Sequence, residues 1–330
     1  MRVSQLQTPA LLVEAAVLDQ NLATMAEALP PPRLRPHVKA HKCTELARRQ
    51  AALGATRFTC ATIREVEGMA AAGLGHDLLL ANEVVDASRL GQVVAGGARV
   101  TLAVDSEATI EAAAAGGVRE VLIDINVGLP RCGADPDDAG RLAGLARRAG
   151  LDVRGVMGYE GHVVGLVGEQ ERAEGVGPCM ELLVHAHDQT GGELISAGGT
   201  GTYSLNTWAT EIQAGSYALM DTAYGQLGLP FGQALSVLST VISVSPGWAV
   251  ADCGLKSLGM DHGPPTIPDA SVWFCSDEHI TFAAEAPPRV GDRVRVLPAH
   301  IDPTVAYHDR MHIVDGDDVV ETWPVDLRGW

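Results

Sequence analysis

From Thr8 to about Asp221 the chain alternates short apolar runs with alanine-rich helical stretches, at the spacing that successive βα units require. The runs are HVKAH (37–41), FTCAT (58–62), DLLLA (77–81), RVTLAV (99–104), VLIDIN (121–126), VRGVMGY (153–159), LISAGG (194–199) and EIQAG (211–215). Helical segments such as Cys43 to Leu53, Ile63 to Ala72 and Asp137 to Arg148 lie between them, and Leu18 to Leu29 precedes the first. Eight such units in series predict a (β/α)8 barrel. After about Gly232 the helical period stops, and β-branched runs (SVLSTVISV, GWAVADCG, SVWFCS, RVRVLP, HIVDG) stand between turn residues. The expected organisation is an α/β barrel over 9–231 followed by an all-β domain over 232–330, joined by 1–8. Gly263-Pro264-Pro265 and Pro287-Pro288 read as hairpin punctuation within the second part.

Composition narrows the class of function. With 330 residues, 46% of them hydrophobic, the chain can bury a sizeable core, which excludes a disordered or fibrous protein. The 24 Lys and Arg against 41 Asp and Glu leave a net charge of −17 with no long basic run, so neither nucleic acid nor an anionic membrane is an expected partner. No stretch reaches the ~18 apolar residues of a membrane span, and Met1 to Ala10 has no basic segment leading into an apolar one. The six cysteines are scattered without a CxxC pair, as in reduced thiols. These features together predict a cytoplasmic enzyme acting on a small molecule.

In a (β/α)8 barrel the active site lies at the carboxyl ends of the strands, and here those positions are polar. Lys39 and His41 end the first run, Arg131 follows the fifth, Tyr159-Glu160-Gly161-His162 closes the sixth, Gly198-Gly199-Thr200-Gly201-Thr202 follows the seventh, and Gly215-Ser216 the eighth. A lysine in an extended apolar run points into the barrel or its mouth, where desolvation favours the neutral, nucleophilic amine, so Lys39 is a Schiff-base candidate. The two glycine turns let backbone N–H groups converge on an anion, with the Thr200, Thr202 and Ser216 hydroxyls at hand. A phosphate cradle after the last strands together with a barrel lysine suggests pyridoxal 5'-phosphate.

These residues resemble the metal-activated, fold-type III pyridoxal enzymes of the D-threonine aldolase and D-serine dehydratase group, which have an alanine-racemase-like barrel with a C-terminal β domain. The resemblance runs through TPALLVE (8–14), RPHVKAHK (35–42), CATIREVE (60–67), DINVGLPRCG (124–133), GYEGH (158–162), AGGTGTY (197–203), AGSYALMD (214–221), DCGLKSL (252–258), SDEH (276–279), PAHIDPTV (298–305) and ETWPVDLRG (321–329). RPHVKAHK and HIDPTV are the most specific of these. The resemblance implies that Lys39 carries the cofactor and that Arg131 contacts its phenolic oxygen or the region of the lysine linkage. It places Gln213 near the ring nitrogen and counts Tyr159, Gly199, Thr200, Gly215, Ser216 and Tyr217 with the cofactor contacts.

It also implies that His300 and Asp302 hold a divalent metal. Side chains two apart on a strand share a face, so an imidazole and a carboxylate at this spacing can chelate one ion. Dehydratase relatives tend to carry cysteine at the second position; carboxylate oxygen suits manganese or magnesium better than zinc and tilts the reading toward an aldolase. His162 is read as a general base or as the organiser of a metal-bound water. His185 and His187, two apart on a helix, do not face each other, and His308 and His312 have no evident role. The implied reaction cleaves D-threonine or a related D-3-hydroxy amino acid to glycine and an aldehyde, in a homodimer. A D-amino-acid dehydratase and a non-catalytic cofactor carrier are the alternatives.

Overall fold

The computed structural model describes all 330 residues, Met1–Trp330. The strands in chain order are β1 (Ala10–Glu14), β2 (Phe58–Cys60), β3 (Leu78–Leu80), β4 (Val100–Val104), β5 (Glu120–Ile125), β6 (Asp152–Gly158), β7 (Leu194–Ala197), β8 (Glu211–Ile212), β9 (Leu235–Ser245), β10 (Trp248–Ala251), β11 (Ala270–Cys275), β12 (Ile280–Ala284), β13 (Arg293–Val296), β14 (Arg310–Asp315) and β15 (Asp318–Pro324). The chain divides into two compact units, one of Met25–Lys39, Leu46–Gly215 and Gly329–Trp330, the other of Met1–Thr24, Ala40–Glu45 and Ser216–Arg328. No helix is long and apolar enough to cross a membrane.

The first unit is the barrel. Its strands pair in parallel in the order β2-β3-β4-β5-β6-β7-β8, with helices between them. β2, β3, β4 and β7 are buried along their whole length, as parallel strands covered on both faces must be. Helix starts follow local signals. Thr62 caps the helix Ile63–Ala71 by accepting from the Glu65 N–H at 3.2 Å, while the Glu65 carboxylate accepts from the Ala61 N–H at 2.6 Å.

The run 37–41, expected as the first strand, is instead a 3-10 turn over Val38–Ala40. The eighth place in the ring falls three residues earlier. Leu34 bridges Ile212 and His37 bridges Thr59, both in parallel, so residues 34–37 join β8 to β2 and close the barrel. Pro36 explains the shift: it has no N–H to give, so the ladder is carried by Arg35 and His37, which donate to Ile212 and Ala214 at 3.0 Å each, while the Pro36 carbonyl accepts from Thr59 at 2.9 Å.

The barrel interior is layered. At the amino ends of the strands Arg35, Asp77, Arg154 and Glu211 are buried together. Arg154 reaches both Asp77 oxygens, at 2.9 and 3.1 Å, and Arg35 bonds Asp77 at 3.1 Å and Glu211 at 2.7 Å. Above them Leu79, Ala103, Leu122, Met157 and Leu194 form an apolar layer. Arg154 and Met157, three apart, both belong to this interior because the register between β5 and β6 shifts at Val121/Leu122, and the bulge turns one residue over. Gly155 makes the bulge: its φ is +140°, and a Cβ there would stand 2.0 Å from the Leu194 carbonyl oxygen.

The second unit is a mostly antiparallel sheet in the order β11-β12-β10-β9-β1-β14-β15, with β13 also on β9. β1 joins it antiparallel to β9 and parallel to β14. Its core gathers Val3, Leu6, Ala10, Leu12, Leu238 and Val314.

Candidate active site

In the barrel unit the chemistry-bearing residues stand at the carboxyl ends of the strands. Lys39 is half-buried in the turn that follows the closing segment, and its backbone N–H donates to His37 Nδ1 at 3.4 Å. Tyr159 follows β6 directly, with the Arg131 guanidinium carbon 5.4 Å from its ring centre, within cation–π range. Glu160, fully buried, accepts from the Gly198 N–H at 3.2 Å and from the Thr202 hydroxyl at 2.8 Å, so the end of β6 holds the glycine turn after β7. Gly199 and Thr200 are buried in that turn. At Gly201 a Cβ would lie 2.0 Å from the Val164 carbonyl oxygen, a contact that only glycine allows.

Gln213, just past β8, donates through Nε2 to Ser196 Oγ at 2.9 Å, and Ser196 donates to Glu211 at 2.7 Å. Gly215 ends the barrel unit. Ser216 and Tyr217 form the 3-10 turn Ser216–Ala218 of the other unit, where the buried Tyr217 ring tilts against Phe231 at 5.7 Å. His162 is exposed, with Cys179 Sγ 3.6 Å from its Nε2. Burial and the Glu160 charge push the Cys179 thiol up to about 11, which keeps it protonated at neutral pH. A hydrogen bond with Glu83, and then burial, raise the Cys132 thiol likewise to about 11, so neither cysteine is a ready nucleophile. Asp124, two residues beyond Leu122 and on the same face, is pushed well above the ordinary carboxylate range by burial and by Glu83.

The β unit holds the second constellation, in a form the sequence did not predict. His300 and Asp302 do not share a strand face: His300 is the N-cap of the helix Ile301–Tyr307 and Asp302 lies in its first turn. Pro303 accounts for the helix, since proline is tolerated in a first turn and disrupts a ladder. The two side chains meet all the same, with His300 Nε2 4.0 Å from Asp302 Oδ1. Asp221, buried, accepts from the Ile301 N–H at 3.0 Å and the Tyr224 N–H at 2.9 Å and so pins the start of this helix. Burial raises the Asp221 carboxyl above its ordinary range against the pull of those two N–H groups. His300 Nδ1 lies 2.7 Å from Asp261 Oδ2, and the His262 ring stacks on His300 at 3.9 Å and 8°. Burial pushes the Asp261 carboxyl up, but the hydrogen bond and charge of His300 outweigh it and hold it below its ordinary value.

Several of these residues were not singled out from the sequence. Glu160, Asp221 and Asp261 act by holding others, and no short motif announces that role. The ionic layer had a signal, because Asp77 and Glu211 open two of the apolar runs and Arg154 stands second in a third, where a charge is out of place. His185 pairs with Asp137 at 2.9 Å on the exposed side of the helix Glu169–Thr190, and His308 and His312 bond to Ser257 and Thr322 within the β unit.

The fold is an alanine-racemase-like barrel carrying a separate, mostly antiparallel β unit. Residues 13–222 match the family described as "Alanine racemase, N-terminal domain" and residues 234–314 that described as "Putative serine dehydratase domain". The chain is 34% identical to a D-threonine aldolase of Arthrobacter sp over 99% of this chain and 94% of that one. It superposes on a D-threonine aldolase of Filomicrobium marinum with a TM-score of 0.94 at 34% identity, covering 100% of this chain and 97% of that one. On the D-threo-3-hydroxyaspartate dehydratase of Delftia sp. HT23 the TM-score is 0.89 at 27% identity, covering the whole of both chains. The chain therefore belongs to the D-threonine aldolase and D-serine dehydratase family of lyases.

Membership of this family implies pyridoxal 5'-phosphate and a divalent metal, and the residues present fit both. An amine at the carboxyl end of the barrel, an aromatic ring under a guanidinium and a glycine turn with a threonine hydroxyl suit a planar, anionic cofactor. An imidazole nitrogen 4.0 Å from a carboxylate oxygen is beyond hydrogen-bond length, yet close enough to bracket an ion whose bonds are ~2 Å long.

Proposed function

We propose that the protein is a pyridoxal 5'-phosphate- and divalent-metal-dependent aldolase that cleaves D-threonine and related D-3-hydroxy amino acids to glycine and an aldehyde. The observation that carries this reading is the oxygen donor facing His300. Asp302 offers a carboxylate where the dehydratase relatives tend to offer a thiolate, and a carboxylate favours manganese or magnesium over zinc.

Lys39 is the residue that holds the cofactor, through Nζ. The glycine turn with Gly199 and Thr200, together with Gly215, receives its phosphate; Arg131, Tyr159 and Gln213 orient its ring. When bound, the cofactor supplies an electron sink for the pair left on Cα, and the metal supplies Lewis acidity toward the β-hydroxyl. His162 takes the proton of that hydroxyl. For Nδ1 to serve as base, Nε2 must carry the ring proton and donate it to Cys179 Sγ, 3.6 Å away, which leaves the lone pair on Nδ1.

The test is product analysis on chelator-stripped protein given pyridoxal phosphate and D-threonine, with and without manganese. Metal-dependent glycine and acetaldehyde are expected, and both should vanish in Lys39→Ala. Ammonia and 2-oxobutanoate would make the enzyme a dehydratase. Bound cofactor without metal-dependent turnover would make it a carrier.

A further inference from the structure

We infer that Asp261 is a positioning residue for the metal: it holds the proton of His300 on Nδ1 and thereby turns the Nε2 lone pair toward Asp302. This rests on the assignment of His300 and Asp302 as the metal pair and deepens it.

The geometry separates the two edges of the His300 ring. Nδ1 meets Asp261 Oδ2 at 2.7 Å, and Nε2 faces Asp302 Oδ1 at 4.0 Å. A carboxylate only accepts, so at a neutral imidazole the proton must sit on Nδ1 and the lone pair on Nε2. The backbone keeps the pair in register. Gly259 bridges His300 in antiparallel fashion, its N–H donates to Thr304 Oγ1 at 2.8 Å, and Thr304 Oγ1 donates to the His300 carbonyl at 2.7 Å. Asp261 follows Gly259 by two residues, close to the imidazole it orients.

The competing arrangement is a direct site made by Asp261, His262 and His300, whose ligand atoms all lie within 4.8 Å of one another. Two features oppose it. An imidazole offers its lone pair in the ring plane, and the His262 and His300 rings are stacked nearly parallel, at 8°, with their centres 3.9 Å apart. An ion at ~2.1 Å in one plane is therefore out of reach of the other ring's lone pair. Second, 2.7 Å is the length of a charge-assisted hydrogen bond, shorter than the roughly 3.0–3.4 Å between two ligands of one ion, whereas His300 Nε2 and Asp302 Oδ1, 4.0 Å apart, have room to draw in by about 0.6–1 Å around one. His262 is a lid on the imidazole, and Asp261 its anchor from the solvent side. The exposures follow that order, with the Asp261 side chain 57% exposed and Asp302 16%.

The experiment is manganese titration by calorimetry on the cofactor-loaded protein, together with 15N-histidine spectra of the metal-free and cadmium-loaded forms. In the unsubstituted protein His300 should show a protonated Nδ1, and cadmium should couple to Nε2. Asp261→Ala should weaken manganese by about 10–100-fold and scramble the tautomer. Asp261→Asn, whose carbonyl oxygen can still accept from Nδ1, should restore most of the affinity, and His262→Phe, which keeps the stack, should bind as the unsubstituted protein does. An Asn variant as weak as the Ala variant, a His262→Phe variant that loses the metal, or cadmium coupling to Nδ1 would each make this a direct site and overturn the inference. Asp302→Ala separates the two levels. If it abolishes binding while Asp261→Ala leaves binding unchanged, the metal pair stands and the role of Asp261 falls; if it binds normally, both fall.

Discussion

Gln213 donates to Ser196 Oγ at 2.9 Å, and that contact fixes which way its amide faces. The single Ser196 proton goes to the Glu211 carboxylate at 2.7 Å, so Ser196 can only accept from Gln213. The Gln213 nitrogen is thereby held on Ser196, and its carbonyl oxygen is the end of the amide that the proposed cofactor site would meet. Ser196→Ala should release the amide to flip, costing about 1 kcal/mol of stability and several-fold in pyridoxal phosphate affinity. Urea midpoints and cofactor titration check both, and unchanged cofactor affinity would separate Gln213 from the site.

The second prediction concerns the ionic layer below it. Burial pushes the Asp77 carboxyl up, but hydrogen bonds from Arg154 and the charge of Arg35 outweigh it and hold it at about 2, against an ordinary 3.8. A depressed acid stabilises the fold above its unfolded value and loses that contribution as pH falls from 3.8 toward 2, here about 2 kcal/mol. Asp77→Asn should lower stability at neutral pH by about 3 kcal/mol, because the buried Arg154 and Arg35 lose the carboxylate they share and keep Glu193 at 2.8 Å and Glu211 at 2.7 Å respectively. The gap between the two proteins should then narrow by about 2 kcal/mol between pH 5 and pH 2, read from denaturation at each pH. A gap that stays constant would mean that Asp77 does not titrate in this window.

The barrel was legible because parallel strands are buried on both faces and read as continuous apolar runs, DLLLA and RVTLAV above all. The closing segment was misplaced by three residues because Pro36 has no N–H, a geometric fact that periodicity does not carry. Arg154 and Met157 share the interior only through the bulge at Gly155, which no strand period of two can show. In the β unit HIDPTV pointed to His300 and Asp302, which do meet at 4.0 Å, but not to their setting, since a helix start and a strand can both bring positions two apart together. Asp261 was out of reach altogether: it lies 39 residues from His300 in a loop, and only the bridge between Gly259 and His300 brings it near.

A third prediction follows from the glycine turn. Gly201 packs against the Val164 carbonyl so closely that a Cβ would sit 2.0 Å away. Backbone faces backbone there, and neither side can rotate out of the way. Gly201→Ala should therefore displace the turn that contains Thr200, costing about 1–3 kcal/mol by overpacking and at least tenfold in pyridoxal phosphate affinity. Thermal denaturation with and without added cofactor measures both, since ligand stabilisation scales with affinity. If the variant melts lower but gains as much from the cofactor as the parent does, the turn is structural and the phosphate is bound elsewhere.

The last prediction bears on the base. His162 is exposed at the carboxyl end of the barrel, and its one side-chain neighbour within bonding distance is the Cys179 sulfur at 3.6 Å. Nothing in the core depends on the imidazole, so His162→Gln should fold with the parent's stability and take up cofactor with the parent's absorbance. Turnover should fall by about 10²–10⁴-fold, the range for losing a general base, with a much smaller change in KM. Cys179→Ser serves as the control: a hydroxyl can replace a thiol held protonated at about 11 with little effect on rate. If His162→Gln instead raised KM and left kcat untouched, the imidazole would be a substrate contact, and the base would have to be sought elsewhere at the carboxyl end of the barrel.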